Sequence, residues 1–306
     1  MRRRHFVQAG ALLGVAAGAG IHVPAFGEQS APRRLADFGL QLFTIARLMM
    51  QDFAGALREV AALGYTQVEF SALGSLGRSV EDVKALLSET GLEAPVGRIS
   101  PVLPADFLER SREELMALFA ERGQAKYLVE NASNAIDSAL ALGQKVINLP
   151  ALMPTEFETL DQVKRNIEHI NAAGEACASA GLMFGYHNHD WELKPLDGVV
   201  PYDLMIEQTD ADKVSFQIDT YWIVKAGASL SDYLRRFSGR FNSAHLKDID
   251  EHGDFEDVGH GTIDFPRFVS EAEAAGVEYF FVERDDPPDP RSAMRRSLEY
   301  LRDMTY

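Results

Sequence analysis

The sequence predicts an α/β protein built as a single (β/α)8 TIM barrel, and three observations support this fold class. From residue 36 onward, apolar runs of four to eight residues alternate with helical stretches, as in βα units around a parallel sheet. Eight such runs are present, the number that this barrel requires. Each run is apolar at first and turns polar at its C-terminal end, as expected for strands buried on both faces with their chemistry at one mouth.

The predicted strands follow one another along the whole chain after residue 36. In chain order they are 38–45, 66–72, 94–100, 145–151, 182–189, 213–222, 241–250 and 278–285. A doubly wound open sheet is the main alternative fold. It would place a glycine-rich phosphate-binding turn after the first strand, and the sequence has no such turn there.

Capping and stop signals delimit the predicted helices between these strands. Ser79 with Asp82 forms an approximate capping box, and Gly64, Gly91 and Gly181 are stop signals. The helices are 51–63, 79–91, most of 104–143, 157–180, and a last one from Pro290 to about Met304. With no internal repeat and no low-complexity linker, one domain is the simplest interpretation.

Composition narrows the range of partners. The 306 residues are 46% hydrophobic and 25% charged, which is typical of a soluble globular protein, and the formal net charge is −16. An acidic surface repels phosphate backbones, so we expect no nucleic acid partner. The single cysteine, Cys177, excludes an intramolecular disulfide and a cysteine-rich zinc site, and its small neighbours predict a buried, inert thiol.

The first 27 residues are predicted to be a signal peptide. A basic start, a short apolar segment and small residues follow one another, and RRHFV resembles the twin-arginine export motif. Cleavage after Ala25 or Gly27 removes three arginines and changes the net charge from −16 to −19. We therefore predict a signal over 1–27, a barrel over 28–306, and a periplasmic protein without stable membrane association; an uncleaved anchor is the alternative.

Polar side chains gather at the C-terminal ends of the predicted strands. They are Glu69, His187, His189, Asp219, His245, Lys247, Asp248 and Glu283, with Arg284, Asp285 and Asp286 behind the last. In a barrel these ends converge, so the fifth to eighth strands bring His, Asp, His and Glu to one centre. This mixture of ligands suits Mn²⁺, Zn²⁺, Fe²⁺ or Co²⁺, whereas a single strand-end histidine is usually structural.

Strand parity adds a candidate acid or base. Residues two apart on a strand share a face, so Lys247 points to the same side as His245. Beside a metal dication, the pKa of Lys247 would be lowered, which makes it a candidate acid/base; a surface salt bridge to Asp248 or Asp250 is the alternative. Asp248 itself falls on the other face, where it would orient a ligand or cap the next helix.

Several motifs resemble those of a known superfamily. YHNHDWEL, QIDTYWIVKAG, AHLKDID, VGHGTIDFPRF and FVERD resemble the sugar isomerase/epimerase superfamily with the xylose isomerase-like barrel. The resemblance covers nearly all of 36–304 and is strongest from residue 182 onward. GYHNH and AHLKD are most similar to the inosose dehydratase-like branch and to uncharacterised sugar phosphate isomerase/epimerase branches.

The resemblance implies a divalent metal, for which we expect Mn²⁺, with Zn²⁺, Co²⁺, Fe²⁺ and Mg²⁺ as alternatives. Carried over by motif, its ligands are His187, Asp219, His245 and Glu283. The ion would chelate a carbonyl and a hydroxyl of a sugar-like substrate and stabilise an enediolate-type intermediate.

Two departures from the superfamily's ketose 3-epimerases bear on the reaction. Those epimerases have a glutamate where this chain has His187, and they often have a substrate-binding histidine where this chain has Trp222. Trp222 would bind a sugar ring on its flat face or pack in the core. With one glutamate missing, proton transfer falls to Glu283, Lys247 or His189, which suits isomerisation or β-elimination better than two-sided epimerisation.

Two further residues are candidates for contact with substrate. Glu69 would accept hydrogen bonds from substrate hydroxyls, or alternatively form a structural ion pair with Arg98 on the third strand. His260, in a Gly-His-Gly loop after the seventh strand, would either reach the substrate or belong to a plain turn.

Three functions compete on these grounds. The leading hypothesis is a metal-dependent isomerase, epimerase or lyase that acts on a keto-sugar or related polyol in the periplasm. An endonuclease like the apurinic endonucleases needs more histidines and a basic groove, which the acidic composition disfavours. A non-catalytic periplasmic sugar-binding barrel is the third. No phosphate-binding signature is visible, and whether the protein is a homo-oligomer stays open.

Overall fold

The computed structural model describes residues 32–71, 73–99, 114, 117 and 125–306, and Arg33–Tyr306 form one compact unit. The predicted signal peptide, 1–27, lies outside the described residues, as does most of the predicted helical span between 104 and 124.

Ten strands are found in the described part of the chain. They are β1 Gly39–Gln41, β2 Gln67–Glu69, β3 Val96–Arg98, β4 Val146–Leu149, β5 Met183–His187, β6 Val214–Asp219, β7 Phe241–Leu246, β8 Asp248–Ile249, β9 Phe255–Glu256 and β10 Tyr279–Val282. All except the β8–β9 hairpin pair in parallel, in the order β2-β1-β10-β7-β6-β5-β4-β3.

The barrel is nearly closed between β2 and β3. There, Val68 N–H donates to the Glu93 carbonyl at 2.8 Å, and Glu93 N–H donates to the Thr66 carbonyl at 3.0 Å. The segment just before β3 thus takes the place of a direct β2–β3 ladder. The predicted fold class, a (β/α)8 barrel, is confirmed.

Helices surround the barrel and cover its outer face. Those described are α1 Ala46–Gln51, α2 Phe53–Leu63, α3 Val80–Thr90, α4 Ala125–Leu142, α5 Leu160–Ser179, α6 Pro201–Gln208, α7 Thr220–Lys225, α8 Leu230–Arg236, α9 Phe265–Ala274 and α10 Pro290–Asp303. The predicted cap at Ser79 is confirmed, because its hydroxyl accepts from Asp82 N–H at 3.1 Å. None of the helices described has both the length and the apolarity to cross a membrane.

All eight predicted strands are longer than the observed ones, and three of them run into another element. The first gives way after Gln41 to a 3-10 helix, Leu42–Ile45, because the Gln41 side chain caps Phe43 N–H. The sixth ends at Asp219, whose Oδ1 accepts from Trp222 N–H at 3.1 Å and so starts α7. The seventh, predicted to reach residue 250, divides into β7 and the first strand of the β8–β9 hairpin.

The core is continuous between the barrel and its helices. Every residue of β4 and of β6 is buried, in agreement with strands covered on both faces. Among the largest side chains with almost no exposed surface are Tyr186, Phe184, Phe216, Phe241 and Phe281. The rigid wall that results fixes the positions of the polar side chains at the strand ends.

Candidate metal centre

Four adjacent strands deliver four ligand-type side chains to one point. His187 ends β5, Asp219 ends β6, His245 lies next to the end of β7, and Glu283 follows β10 directly. Asp219 and His245 are register partners, and Glu283 N–H donates to the Leu246 carbonyl at 3.0 Å. One ligand atom from each of the four lies within 4.8 Å of the others, and all four residues are buried. We call these four residues the ligand set.

The spacing of the ligand set fits a bound divalent ion. Asp219 Oδ2 lies 3.8 Å from His187 Nε2 and 3.6 Å from His245 Nδ1. Two nitrogen or oxygen atoms bound to one ion at about 2.1 Å lie roughly 3 to 4 Å apart, so these separations match. Asp219 Oδ2 is also buried without a hydrogen-bond partner, a costly arrangement that an ion would relieve.

A second layer of polar residues orients the two histidines. His245 Nε2 lies 2.5 Å from Glu69 Oε2, and His187 Nδ1 donates to Gln217 Oε1 at 3.2 Å. Gln217 Nε2 in turn donates to Glu69 Oε1 at 3.0 Å. Each histidine thus presents its other nitrogen to the centre, Nε2 of His187 and Nδ1 of His245, as in carboxylate-supported metal sites.

Glu69, predicted to bind substrate, lies beneath the ligand set with its side chain fully buried. The alternative ion pair is present, with Arg98 Nη2 3.3 Å from Glu69 Oε1. Burial alone would raise the pKa of Glu69, but the charges of Arg98 and His245 outweigh it and lower the pKa. Glu69 is therefore a carboxylate whose oxygens are already engaged by protein groups.

The two histidines differ in protonation. Burial, together with the nearby charges of His245, His189 and Arg98, holds the pKa of His187 well below its ordinary value. For His245, burial acts in the same direction, but Glu283 and Glu69 outweigh it and raise its pKa well above the ordinary value. His187 is therefore neutral and ready to bind, whereas His245 Nδ1 holds a proton that an ion must displace.

Lys247 reaches the same centre. Its ammonium lies 2.8 Å from Asp285 Oδ2, 3.2 Å from Glu283 Oε2 and 3.9 Å from Asp219 Oδ2, and its side chain is only 2% exposed. The predicted alternative, a surface salt bridge to Asp248 or Asp250, is wrong.

The protein's own groups raise the pKa of Lys247. Burial opposes its charge, but Asp285, Glu283 and Asp219 outweigh burial. The sequence-based prediction that the pKa of Lys247 is lowered considered only a neighbouring dication and left out these three carboxylates. Burial also opposes the charge of Glu283, yet Lys247 and His245 hold the pKa of Glu283 well below its usual range. Glu283 and Lys247 therefore face each other as a charged pair.

His189 lies at the side of the centre, within an aromatic wall. Its ring stacks on Trp191 at 4.2 Å and lies 4.9 Å from the ring of His187 and 5.2 Å from Trp222. Glu192 Oε2 accepts from His189 N–H at 2.9 Å, while His189 Nδ1 has no hydrogen-bond partner. Trp222, predicted to bind substrate, is half-buried in this wall.

Asp248 holds together the loop that contains His260. Asp248 Oδ1 and Oδ2 accept from four backbone N–H groups, Ile249, Gly259, Gly261 and Ile263, at 2.9 to 3.2 Å. The glycines are required, since a Cβ on Gly259 would lie 2.1 Å from the Tyr300 ring and one on Gly261 2.4 Å from a carbonyl oxygen. His260 is exposed in a turn in which its N–H donates to the Asp257 carbonyl, so its contact with substrate stays a prediction.

Three residues of this region were not predicted from the sequence. Gln217, which lies two residues before Asp219 on β6, shares its face, and strand parity could have revealed it. Asp285 was noted only as lying behind Glu283, although it is the nearest partner of Lys247. Phe255, 5.0 Å from the Lys247 ammonium, belongs to the hairpin that was not predicted.

The family model of the xylose isomerase-like TIM barrel matches residues 57–304. The chain is 25% identical over 280 residues to an inosose dehydratase of Geobacillus thermodenitrificans (strain NG80-2), an alignment that covers 82% of this chain and 89% of the relative.

Solved structures with the same fold include a sugar phosphate isomerase/epimerase from Parabacteroides distasonis ATCC 8503. The TM-score is 0.69 at 25% identity, over 92% of this chain and 97% of the other. The 3-keto-D-glucoside 4-epimerase of E. coli has a TM-score of 0.62 at 17% identity, over 88% of this chain and 99% of the other, and shows the fold alone.

Proposed function

The chain belongs to the xylose isomerase-like TIM barrel family, and on this premise we propose that it is a metal-dependent lyase that removes water from a keto-sugar or ketopolyol. The observation that carries the proposal is the buried ligand set, which has the residue types and spacing for Mn²⁺ or a similar ion. The similarity to an inosose dehydratase over most of both chains favours dehydration among the family's reactions.

In this proposal the ligand set holds the ion, which would polarise the substrate carbonyl and so acidify the neighbouring carbon. His189 removes the proton from that carbon. Its ring lies 4.9 Å from the ring of His187, and its Nδ1 has no hydrogen bond and lies 3.8 Å from Glu192 Oε1. Lys247 donates a proton to the departing β-hydroxyl, which leaves as water. The enol product then tautomerises. Trp222 and Trp191 provide the flat apolar surface for the ring.

Elimination fits the unequal acid and base groups better than epimerisation. Epimerisation needs a base and an acid of similar strength on opposite faces of one carbon. Here Asp285, Glu283 and Asp219 hold Lys247 as an ammonium, which makes it the candidate proton donor, and a bound divalent ion would lower its pKa toward the working range. His189 is the candidate base. The catalytic role predicted for Glu283 stays a prediction, since its lowered pKa suits a ligand.

The substrate is proposed to be an uncharged carbohydrate. Of the cations around the centre, Arg98 pairs with Glu69, Lys247 with Asp285, and Arg284 with Glu256 and Asp257. Cations already paired with carboxylates bind a phosphate poorly, because the phosphate must displace a partner. This supports a free or glycosidic sugar.

An isomerase or epimerase is the second candidate function. It is favoured by the similarity to a sugar phosphate isomerase/epimerase over 92% of this chain. The two candidates differ in the mass of the product, since only a lyase releases water.

A direct test combines metal analysis with a substrate assay. We expect one Mn²⁺ per wild-type chain and none in His245→Ala. We also expect an inosose, tested because of the similarity to an inosose dehydratase, to lose 18 mass units only with Mn²⁺ present. His189→Asn should keep the metal but lose about 10²- to 10⁴-fold in kcat. Full metal occupancy in His245→Ala would rule out the assigned ligand set, and an isomerised product of unchanged mass would favour the second candidate.

We also propose that the protein acts in the periplasm after removal of residues 1–27. Mass spectrometry of the exported protein should show a chain that begins after Ala25 or Gly27. Substitution of Arg3 and Arg4 by lysine should retain the full-length chain in the cytoplasm, and export of this variant would exclude the twin-arginine route.

A further inference from the structure

The ammonium of Lys247 faces the same oxygen atoms that the ligand set offers to a metal. Glu283 Oε2 lies 3.2 Å from Lys247 Nζ and 2.8 Å from His245 Nδ1. Asp219 Oδ2 lies 3.9 Å from Lys247 Nζ and 3.6 Å from His245 Nδ1. A divalent ion and the ammonium would therefore share two oxygens, and their like charges would repel each other across a few ångströms.

Asp285 offers the ammonium another position. Asp285 Oδ2 is the nearest carboxylate oxygen, at 2.8 Å from Lys247 Nζ, and Asp285 is not a member of the ligand set. Its side chain is 23% exposed, so it lies on the outer side of the buried lysine.

Aromatic rings surround the Lys247 ammonium on the sides that the carboxylates leave open. The ring centroids of Phe255, Trp222 and Tyr221 lie 5.0, 5.2 and 5.9 Å from Lys247 Nζ. Such rings attract a cation but offer it no hydrogen-bond acceptor. Lys247 is therefore kept at the centre, where its acceptors are Asp285 on one side and the ligand-set oxygens on the other.

We propose that Lys247 is a built-in counter-cation of the ligand set and that Asp285 is the positioning residue that draws it aside when a divalent ion binds. Without an ion, the ammonium neutralises Glu283 and Asp219. With an ion, it is held by Asp285 alone. The proposal rests on the proposed function only in that the ligand set binds a divalent ion.

The proposal predicts that two substitutions change the affinity for Mn²⁺ in opposite directions. In Asp285→Asn, Lys247 keeps only the ligand-set oxygens, so the Kd for Mn²⁺ should rise about tenfold. In Lys247→Met, the repulsion disappears, so the Kd for Mn²⁺ should fall about tenfold. In the double variant, Asp285→Asn should have almost no effect, because there is no ammonium left to position.

In the experiment, each metal-free protein is titrated with Mn²⁺ alone. Binding is measured by calorimetry and, independently, by the electron paramagnetic resonance signal of free Mn²⁺. Asp286→Asn is the matched control for Asp285→Asn, since Asp286 is 68% exposed and its ion pair is with Arg47 at 3.4 Å. Lys225→Met is the control for Lys247→Met, because Lys225 is exposed and donates to the Gly253 carbonyl. Both controls should bind Mn²⁺ like wild type.

Thermal unfolding supplies a second readout that a purely structural role would not produce. Lys247→Met should unfold at a lower temperature than wild type in EDTA, since three carboxylates then repel each other, and should recover most of this loss in saturating Mn²⁺. A loss of the same size in both conditions would overturn the proposal.

The outcomes separate this proposal from the proposed function. If wild type binds no Mn²⁺, the metal-dependent function fails, and the proposal fails with it. If wild type binds Mn²⁺ but Lys247→Met does so no more tightly, or Asp285→Asn no more weakly, only this proposal is overturned.

Discussion

At the scale of single residues, two histidines of one site have pKa values shifted in opposite directions by their neighbours. His187 and His245 are both buried members of the ligand set, yet the pKa of His187 is lowered and that of His245 is raised. Burial pushes both down, but only His245 lies between the carboxylates of Glu69 and Glu283. A residue list alone does not separate the two histidines, because the difference lies in which strands supply their partners.

We expect the binding of Mn²⁺ to release about one proton near pH 7. Because the pKa of metal-free His245 is raised well above 6.5, this histidine is protonated at pH 7, and the ion must displace its Nδ1 proton. His187 releases none, because its pKa is well below 6.5. Affinity for Mn²⁺ should therefore increase about tenfold per pH unit across the neutral range and level off above the pKa of His245.

Calorimetry in buffers of different ionisation enthalpy measures this proton directly, since the observed heat changes in proportion to the protons released. A variant that binds Mn²⁺ without His245 would release none. An affinity that is flat between pH 6 and pH 8 in wild type would contradict the assigned protonation of His245.

Much of the site at the residue scale follows from strand ends and parity. The four residues of the ligand set converge as predicted, because the ends of parallel strands must meet at one mouth. The partners of Lys247, and those of Glu69 other than Arg98, could not be predicted in the same way. They depend on register between strands distant in sequence, such as the pairing of β10 with β7 and of β10 with β1.

At the scale of elements, side-chain caps decide where strands end. The sixth predicted strand continued through apolar residues to Trp222, but Asp219 caps α7 with one oxygen and turns the other toward the ligand set. An apolar run does not distinguish a strand from a buried helix, so the boundary was placed three residues late. The capping carboxylate thus has a structural role and, in the proposed function, a metal-binding role as well.

Asp248 is the residue on which the segment after β7 depends. We expect Asp248→Ala to lower the free energy of unfolding by about 2 to 4 kcal/mol, because four backbone N–H groups lose their acceptor, one in a buried hydrogen bond and three in partly buried ones. Urea denaturation of purified variants measures the change. Asp250→Ala is the matched control, since the Asp250 side chain accepts from the exposed N–H groups of His252 and Asp254.

The control should lose less than about 1 kcal/mol, because water can replace its acceptor. Equal losses in Asp248→Ala and Asp250→Ala would show that the Gly259–Ile263 loop does not depend on buried hydrogen bonds to Asp248.

At the scale of the whole molecule, the fold was predictable because all of its signals agree. Alternating strand and helix patterns, apolar strands with polar ends and glycine stops each indicate a (β/α)8 barrel, and the family model matches 57–304. The β8–β9 hairpin was not predictable, since its strands have only two residues each. It is held by tertiary ion pairs such as Arg284 with Glu256 at 2.8 Å.

The barrel also makes the ligand set a link between distant parts of the chain. Its members come from four adjacent strands, β5, β6, β7 and β10, and span residues 187 to 283. Without a metal ion, the buried charges of Glu69, Asp219 and Glu283 are balanced by Arg98, protonated His245 and Lys247. Stability and metal binding are therefore expected to be coupled through the whole barrel.

We expect bound Mn²⁺ to stabilise the whole barrel against unfolding. A ligand that binds only the folded state at about 100 times its Kd adds about 2.7 kcal/mol to the free energy of unfolding. For a chain of this size, that gain corresponds to a rise of roughly 5 °C in Tm. Differential scanning fluorimetry with Mn²⁺, and again after EDTA, measures the shift. His187→Ala should unfold at the same temperature in both conditions, because the ligand set then lacks its β5 member. A wild-type Tm that EDTA and Mn²⁺ leave unchanged would mean that the four strand ends converge without binding a metal.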